Sequence, residues 1–341
     1  MKKLVKPGHL EKGDLIATIS PCNGWAGDPA VKWKYDLGVF RLQELGLRVI
    51  AAPNSMKGTE YLSRNPGSRA EDILWAFENK EVKAIIANIG GNDSIKVIPY
   101  IEPRVISENP KIFIGYSDVM NLHFLCYHSG LSSFYGDNLL KNIADQTGWH
   151  EYDKKYFVKT LFDPSPIGTI EPSSEWTFEH SDFCDPNKKR RYYPNDGYHI
   201  IQGSGCVSGR LIGGHTGLMD LEGSSIKLKD EDYDGALLFV EDIPEFFGEE
   251  NVRAFFEYLG QKGILQRING IVIGKASDNK PFSKRAEIIR HIVSDKYSCK
   301  IPILYGLNFG HLSPTCVLPY GALAEIDCDN KTFSIKESGV I

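Results

Sequence analysis

Several features that mark whole classes of protein are missing from this chain. No stretch approaches the 18 consecutive apolar residues of a membrane-spanning helix, and the opening residues MKKLVKPGHLEKGD lack the apolar segment of a signal peptide. The seven cysteines form no CxxC pair, and an odd number suits reduced thiols better than a disulfide framework. We therefore expect an unexported, cytoplasmic protein without a membrane partner.

Signatures of metal, nucleotide and nucleic acid binding are also absent. The sequence has no HExxH motif and no cluster of cysteine and histidine, so no metal is expected. No GxGxxG or GxxxxGK[ST] fingerprint opens a helix, so no cofactor is expected either. The formal net charge of −5 offers no concentrated basic surface, which argues against a nucleic acid polymer as partner.

What the chain does contain is the pattern of an α/β protein long enough for two domains. Its 341 residues are 42% hydrophobic. Apolar strands such as GDLIATISP, VKAIIANIGG and KIFIG alternate with amphipathic helices, which predicts a parallel sheet covered on both faces. Ser68 and Glu71 have the spacing of a capping box and predict one helix start. Residues 1–165 are predicted to form an N-terminal α/β domain.

This alternation fails in the middle of the chain. Residues 161–198 contain five prolines and no sustained period, and we interpret 166–198 as a linker and an irregular loop. Beyond it, GRLIGGHTG, GALLFVEDI and INGIVIGKA indicate further strands, and an apolar period of 3.6 residues from Val252 to Leu259 indicates a helix. Residues 199–341 are therefore predicted to be a second domain of mixed β and α structure.

A serine in KIFIGYSDVMNLHF interrupts a buried pattern where a strand passes into a helix. Such a turn would place Ser117 at the carboxyl edge of a parallel sheet, where open α/β sheets bind ligands. The start of a helix also favours a developing oxyanion. Ser117 is thus a candidate nucleophile, and the alternative is that Ser117 or Asp118 merely caps the helix.

A nucleophilic serine needs a general base and an acid to orient that base. Among the nine histidines, His311 follows a strand-like run in a loop that Pro314 keeps from becoming helical, and His215 in GGHTG is its competitor. Glu241 and Asp242 directly follow an apolar strand, and either can supply the carboxylate. The order serine, acid, histidine is that of the α/β-hydrolases, but Val119 stands where the second glycine of GxSxG belongs.

Oxyanion donors are expected in NIGGNDS, where two glycines end a strand. Backbone N–H groups of Gly91 or Asn92 can approach a substrate carbonyl closely there, and the N–H of Asp118 is the second candidate donor. A flexible turn is the alternative interpretation.

These residues carry a family resemblance over nearly the whole chain. The segments SRAEDILWAF, AIIANIGGND, PKIFIGYSDVMNLH, GRLIGGH, LLFVEDI, INGIVIGK and FGHLSPTCVLPYGALAEID together resemble the LD-carboxypeptidase family of serine peptidases. The resemblance implies a nucleophile at Ser117, an acid at Glu241, a base at His311 and oxyanion donors near Gly91 and Asp118. It also implies a flavodoxin-like N-terminal domain, a C-terminal domain of mixed β and α structure, a homodimer and no metal. Because Ser117 precedes the proline-rich stretch whereas Glu241 and His311 follow it, the active site is expected at the domain interface.

Two substrate classes follow from the resemblance. LD-carboxypeptidases release the terminal D-alanine of cytoplasmic muropeptides, and microcin C immunity proteins cleave aminoacyl-sulfamoyl nucleotides. The loop that contains Trp176 resembles the immunity branch, in which an aromatic residue stacks on the nucleotide base. A position at the domain interface is the alternative interpretation of Trp176. His215 stands where the family often has asparagine, so it is expected in the substrate pocket together with Asn92.

The sequence therefore predicts an amide hydrolase that acts through an acyl-enzyme on a small peptide or a peptidyl-nucleotide. An esterase of the α/β-hydrolase type is opposed by the missing glycine and by the second domain. A non-catalytic, two-lobed ligand-binding protein is the alternative from another class, although such proteins are usually exported.

Overall fold

Five parallel strands form the centre of the N-terminal half of the structure, a computed structural model that describes residues 3–341. These strands are β1 (Leu15–Ile19), β2 (Arg48–Ala51), β3 (Val82–Ala87), β4 (Ile112–Gly115) and β5 (Phe134–Tyr135). Their spatial order is β2-β1-β3-β4-β5, which is the flavodoxin order. Strands β1 and β4 are buried throughout because helices cover both faces of the sheet, so the predicted fold class is confirmed.

The helices of this half connect successive strands. They are α1 (Lys32–Glu44), α2 (Gly58–Arg64), α3 (Pro66–Glu78), α4 (Pro103–Glu108), α5 (Met120–His128) and α6 (Glu151–Leu161). A π-helical turn, Leu139–Ile143, follows β5. The capping box predicted at Ser68 and Glu71 is wrong, because α3 already begins at Pro66, whose fixed φ and missing N–H suit a first helical position.

A second, larger sheet occupies the C-terminal half. The strands of this half are β6 (Gly168–Thr169), β7 (Glu175–Trp176), β8 (Tyr193–Pro194), β9 (His199–Gln202), β10 (Cys206–His215), β11 (Ala236–Glu241), β12 (Gly270–Gly274), β13 (Ile303–Leu307), β14 (Leu318–Pro319), β15 (Leu323–Asp327) and β16 (Thr332–Ile335). Eight of them pair in the order β6-β16-β15-β10-β11-β12-β13-β9, while β7 and β8 form a separate ribbon. The sheet is mixed, because β10 to β13 run parallel and the flanking strands run antiparallel. Helices α7 (Glu249–Gln261) and α8 (Ser283–Arg290) pack against each other beside it.

One apolar cluster spans both halves, and one strand from the C-terminal half joins the N-terminal sheet. Buried side chains of both sheets, from Ile85 and Phe113 to Leu237 and Ile271, belong to a single continuous cluster. Strand β14, although late in the chain, pairs antiparallel with β5 and completes the N-terminal sheet. Within residues 3–341, no helix combines the length and apolarity needed to cross a bilayer.

Candidate active site

Ser117 lies where β4 gives way to α5, as the sequence predicts. Its φ angle is +65°, a left-handed conformation that is unfavourable for a residue with a side chain. The neighbouring loop approaches very closely, since a Cβ atom added to Gly90 would lie only 2.9 Å from the Cβ of Ser117. The strained turn therefore presents the serine side chain at the carboxyl edge of the sheet.

A continuous chain of hydrogen bonds joins Ser117 to the C-terminal half. The Nε2 atom of His311 lies 2.9 Å from Ser117 Oγ, and its Nδ1 atom lies 2.7 Å from Oε2 of Glu241. The backbone N–H of His311 also donates to this carboxylate, at 3.0 Å. With the proton on Nδ1, Nε2 can accept the hydroxyl proton of the serine. The structure thus brings together the three residues that the sequence singles out.

Glu241 is buried, yet the site favours its ionised form. Burial by itself would raise the pKa of this carboxyl, but the charge and hydrogen bond of His311, together with the hydroxyl of Tyr135, outweigh it. The pKa of Glu241 therefore lies below its ordinary value. An ionised carboxylate at this position can fix the histidine tautomer and stabilise an imidazolium.

Tyr135 is a site residue that the sequence reasoning missed. Its hydroxyl donates to Oε1 of Glu241 at 2.5 Å and accepts the backbone N–H of Ser117 at 3.3 Å. Its position explains both contacts, because Tyr135 of β5 pairs with Gly115 at the end of β4. An aromatic residue that ends a short strand, directly before a glycine, was the available signal in SSFYGDN.

The predicted oxyanion turn is held tightly beside the serine. The Asp118 carboxylate accepts the backbone N–H groups of Asp93 at 3.0 Å and Ser94 at 2.8 Å. A Cβ atom on Gly91 would lie 2.9 Å from the Cβ of Cys22, so only glycine fits there without a shift. Gly91 therefore lines the cavities beside Ser117 at a position where a side chain would meet Cys22.

Two cavities flank Ser117, and both are lined by Gly91, Asn92, Ser117 and His311. The first, of about 430 Å³, has the aromatic residues Trp25, Tyr116 and Phe183 and the cation Lys141 in its walls. The second, of about 300 Å³, is lined by the carboxylates of Asp118, Asp220 and Asp242. The surroundings of the serine therefore differ in charge on its two sides.

The predicted substrate residues occupy different places. Asn92 lines both cavities, and His215 lines the second one, where its Nδ1 accepts the backbone N–H of Gly217 at 3.0 Å. Trp176 is not brought into either cavity, since it lies in the β7–β8 ribbon with Lys275 Nζ 4.7 Å above its ring. From the same loop it is instead Phe183 that reaches the first cavity, in edge contact with Trp25 at 5.1 Å.

No metal site accompanies this arrangement in the described part of the chain. Across residues 3–341, no three or more histidine, cysteine or acidic side chains are grouped so that they can hold an ion. All seven cysteines are free thiols.

Family models match both halves of the chain. The LD-carboxypeptidase N-terminal domain matches residues 16–136, and the LD-carboxypeptidase C-terminal domain matches residues 208–326. The chain belongs to the LD-carboxypeptidase family. It is accordingly a serine carboxypeptidase by family, and the predicted family and enzyme class are confirmed.

Relatives of this LD-carboxypeptidase cover nearly its full length. A Vibrio cholerae protein with a provisional carboxypeptidase name is 30% identical over 339 residues, which are 97% of each chain. The microcin C7 self-immunity protein MccF of Escherichia coli is 29% identical over 96% of this chain and 94% of its own. The “Probable murein peptide carboxypeptidase” of Bacillus subtilis is 29% identical over 98% of this chain and 95% of its own.

Solved structures agree with this assignment. The MccF-like protein from Streptococcus pneumoniae in complex with AMP superposes with a TM-score of 0.86 at 29% identity, covering 95% of this LD-carboxypeptidase and 99% of that chain. The microcin C7 self immunity protein MccF in complex with aspartyl sulfamoyl adenosine gives 0.86 at 25% identity, covering 99% and 100% of the two chains.

Proposed function

We propose that Ser117, His311 and Glu241 hydrolyse an amide bond through an acyl-enzyme, and that the substrate is a muropeptide that loses its terminal D-alanine. The hydrogen-bond chain from Glu241 through His311 to Ser117, which opens into two cavities, is the observation that carries this proposal. Each of the three groups has the neighbour that its role requires.

In the proposed mechanism, Ser117 Oγ attacks the amide carbonyl while Nε2 of His311 accepts the hydroxyl proton. The resulting oxyanion is stabilised by the backbone N–H groups of Gly91 and Asp118. His311 then returns the proton to the leaving amine, and the acyl-enzyme remains. Water attacks this ester with the same histidine as base, which frees Ser117 and the shortened peptide.

We further propose the division into residues 1–165, 166–198 and 199–341, a homodimer and a cytoplasmic location. The two sheets and the family match support the division, with β6 and β14 as short exceptions that pair across it. The cytoplasmic location follows from the proposed substrate, because the enzyme has to meet muropeptides in the cytoplasm. Sedimentation equilibrium tests the dimer, because a single species of one-chain mass contradicts it.

Hydrolysis of aminoacyl-sulfamoyl nucleosides is a second candidate function. The aromatic pair of Trp25 and Phe183 in the first cavity favours it, since such rings can stack on a nucleobase. The relatives that bind AMP or aspartyl sulfamoyl adenosine point the same way. For this activity we propose that the nucleobase stacks on Trp25 and Phe183, whereas stacking on Trp176 stays a prediction.

One experiment separates these functions. The protein is incubated with a muropeptide tetrapeptide that ends in D-alanine and, separately, with aspartyl sulfamoyl adenosine, and the products are followed by mass spectrometry. We expect D-alanine from the first, with Ser117→Ala inactive and only the active protein labelled by a fluorophosphonate. Release of sulfamoyl adenosine alone selects the second candidate. If neither substrate is cleaved and the fluorophosphonate does not label the protein, the chain is a non-catalytic ligand-binding protein.

A further inference from the structure

Lys141 lies beside the reacting groups but has no part in the mechanism above. It belongs to the π-helical turn after β5 and lines the first cavity together with Ser117 and His311. Its Nζ donates to the backbone carbonyl of His311 at 2.6 Å and lies 5.3 Å from the centre of the Tyr116 ring. The ammonium group therefore contacts the histidine itself and the residue that precedes the serine.

This cation has no anionic partner of its own. Among residues 3–341, no carboxylate forms an ion pair with Lys141, and its one hydrogen bond goes to the neutral backbone carbonyl of His311. The carboxylates near it are engaged elsewhere: Asp145 with Arg190, Asp137 and Asp153 with Thr315, and Glu241 with His311. Two N–H groups of the ammonium thus remain for a ligand, and an unpaired cation is costly to keep in a partly buried site.

The two cavities differ in how they would receive a carboxylate. Of the residues that line the first cavity in the described chain, Lys141 is the one lysine or arginine. The second cavity presents Asp118, Asp220 and Asp242, which repel an anion. In a carboxypeptidase the terminal carboxylate is one residue, about 3.5 Å of extended chain, beyond the bond that is cut. Lys141 lines the same cavity as Ser117, so a single released residue would have the serine and the ammonium group in the walls around it.

We propose that Lys141 binds the C-terminal carboxylate of the substrate, so that the released residue occupies the first cavity and the acyl part of the peptide the second. This inference rests on the proposed peptidase function and names the group that makes it a carboxypeptidase. The free cation also explains why the turn after β5 carries a lysine at a site where burial opposes charge.

The electrostatics of Lys141 add a pH dependence. Burial, with Arg190 nearby, lowers the pKa of the ammonium to about 7, against the opposing effect of the surrounding carboxylates Glu241, Asp145 and Asp153. Asp137 and the Tyr116 ring also face it. Lysine is charged below its pKa, so carboxylate binding by the free enzyme weakens as the pH rises through about 7. A substrate with no terminal charge should escape this loss.

The test compares a tetrapeptide that ends in D-alanine with the same peptide that ends in D-alaninamide. The wild type should cleave the acid with a kcat/KM about 30-fold or more above that of the amide, because the buried charge pair is made only with the acid. Lys141→Met should bring the two values together mainly by raising KM for the acid, and Lys141→Arg should keep part of the preference. Only the acid substrate should lose kcat/KM above pH about 7 in the wild type.

Two controls isolate the carboxylate contact. Lys155→Met removes an exposed lysine that likewise lies over a tyrosine ring, 5.0 Å from the centre of Tyr156, and should change nothing. Labelling by a neutral fluorophosphonate should persist in Lys141→Met within a few fold. If labelling and both cleavages fall together, Lys141 only positions His311 and the inference is overturned. It is equally overturned if Lys141→Met keeps the preference for the acid.

Calorimetric titration of Ser117→Ala separates this inference from the proposed function, since binding is read without turnover. Tighter binding of the acid than of the amide, lost on adding Lys141→Met, supports the carboxylate contact. Equal binding of both peptides overturns the inference and leaves the peptidase function standing. Binding of neither peptide overturns both, and affinity for aspartyl sulfamoyl adenosine alone, dependent on Lys141, assigns the cation to the sulfamoyl group.

Discussion

At the scale of single residues, the backbone of Ser117 combines a cost in stability with a catalytic position. Its φ of +65° costs a residue with a Cβ about 1–2 kcal/mol, which glycine does not pay. Ser117→Gly and Ser117→Ala both lose the hydroxyl and should both be inactive. The glycine variant should melt about 1–3 °C above the alanine variant in thermal unfolding. Equal melting temperatures would show that the turn is unstrained.

The two adjacent acids after β11 can be told apart by amide substitution. Glu241 contacts His311, whereas Asp242 accepts the backbone N–H of Thr216 at 3.0 Å and its hydroxyl. Glu241→Gln should therefore lower kcat by up to about 10⁴-fold, as the acid-to-amide change does in a Ser-His-Asp site. Asp242→Asn should cost less than about 10-fold, because an amide oxygen can still accept both bonds from Thr216, and the bond lost is the one from the N–H of Ile243, which lies outside the Ser117–His311–Glu241 chain. The reverse ranking in steady-state kinetics would make Asp242 the orienting acid.

Tyr135 should act on the rate through Glu241. The Tyr135 hydroxyl donates a hydrogen bond to the buried Glu241 carboxylate, and such a bond to a charged group stabilises it by roughly 1.5–3 kcal/mol. Removing the hydroxyl therefore raises the pKa of Glu241. Tyr135→Phe should thus lower kcat about 10-fold or more and move the acidic limb of its pH profile upward. Tyr320→Phe is the matched control, since Tyr320 is equally buried but donates to Gly213 O at 2.7 Å. An unchanged pH profile in Tyr135→Phe would show that this tyrosine contributes to packing and does not act through Glu241.

The sequence predicted Ser117, Glu241 and His311 because each lies at or shortly beyond the end of an apolar strand, where site residues of α/β sheets gather. Tyr135 and Lys141 were not identified, because their contacts are far apart in the chain. The Tyr135–Glu241 bond spans 106 residues and the Lys141–His311 bond spans 170. No local pattern encodes such pairs, since they arise only when two sheets pack together.

At the scale of secondary structure elements, the turn after β5 and the loop that carries His311 meet through buried carboxyls. The hydroxyl of Thr315 donates to Asp137 at 2.9 Å and also contacts Asp153. Burial raises the pKa of Asp137 to about 7, and it raises that of Asp153 as well, with Asp137 adding repulsion. The folded state thus favours the neutral acid at Asp137.

This raised pKa predicts a stability that depends on pH. A carboxyl that is neutral in the folded state and ionised in the unfolded chain favours folding at low pH, and the gain is lost as the pH rises through about 7. Asp137→Asn removes the titration and keeps an oxygen for Thr315. Between pH 6 and 8.5, its melting temperature should therefore fall by a few degrees less than that of the wild type. Asp36→Asn, an exposed acid of α1, should behave as the wild type in the same circular dichroism scans.

At the scale of the whole molecule, the packing between the two halves predicts cooperative unfolding. One apolar cluster is continuous through both sheets, and the hydrogen bonds from Ser117 through His311 to Glu241 connect the two halves. We expect one calorimetric transition, with calorimetric and van't Hoff enthalpies in agreement. Two resolved transitions would contradict this expectation and would show that residues 1–165 and 199–341 unfold as separate units.

Strand β14 has a consequence for how the protein is made. During synthesis β5 leaves the ribosome long before Leu318 and Pro319, so the growing N-terminal sheet waits with one edge unpaired. His311 emerges only shortly before that missing strand. Closure of the sheet edge and arrival of the proposed general base are therefore nearly the same event. A nascent chain that has not reached His311 holds the proposed nucleophile without its proposed base, so we expect no hydrolysis before residues 311–319 have been synthesised.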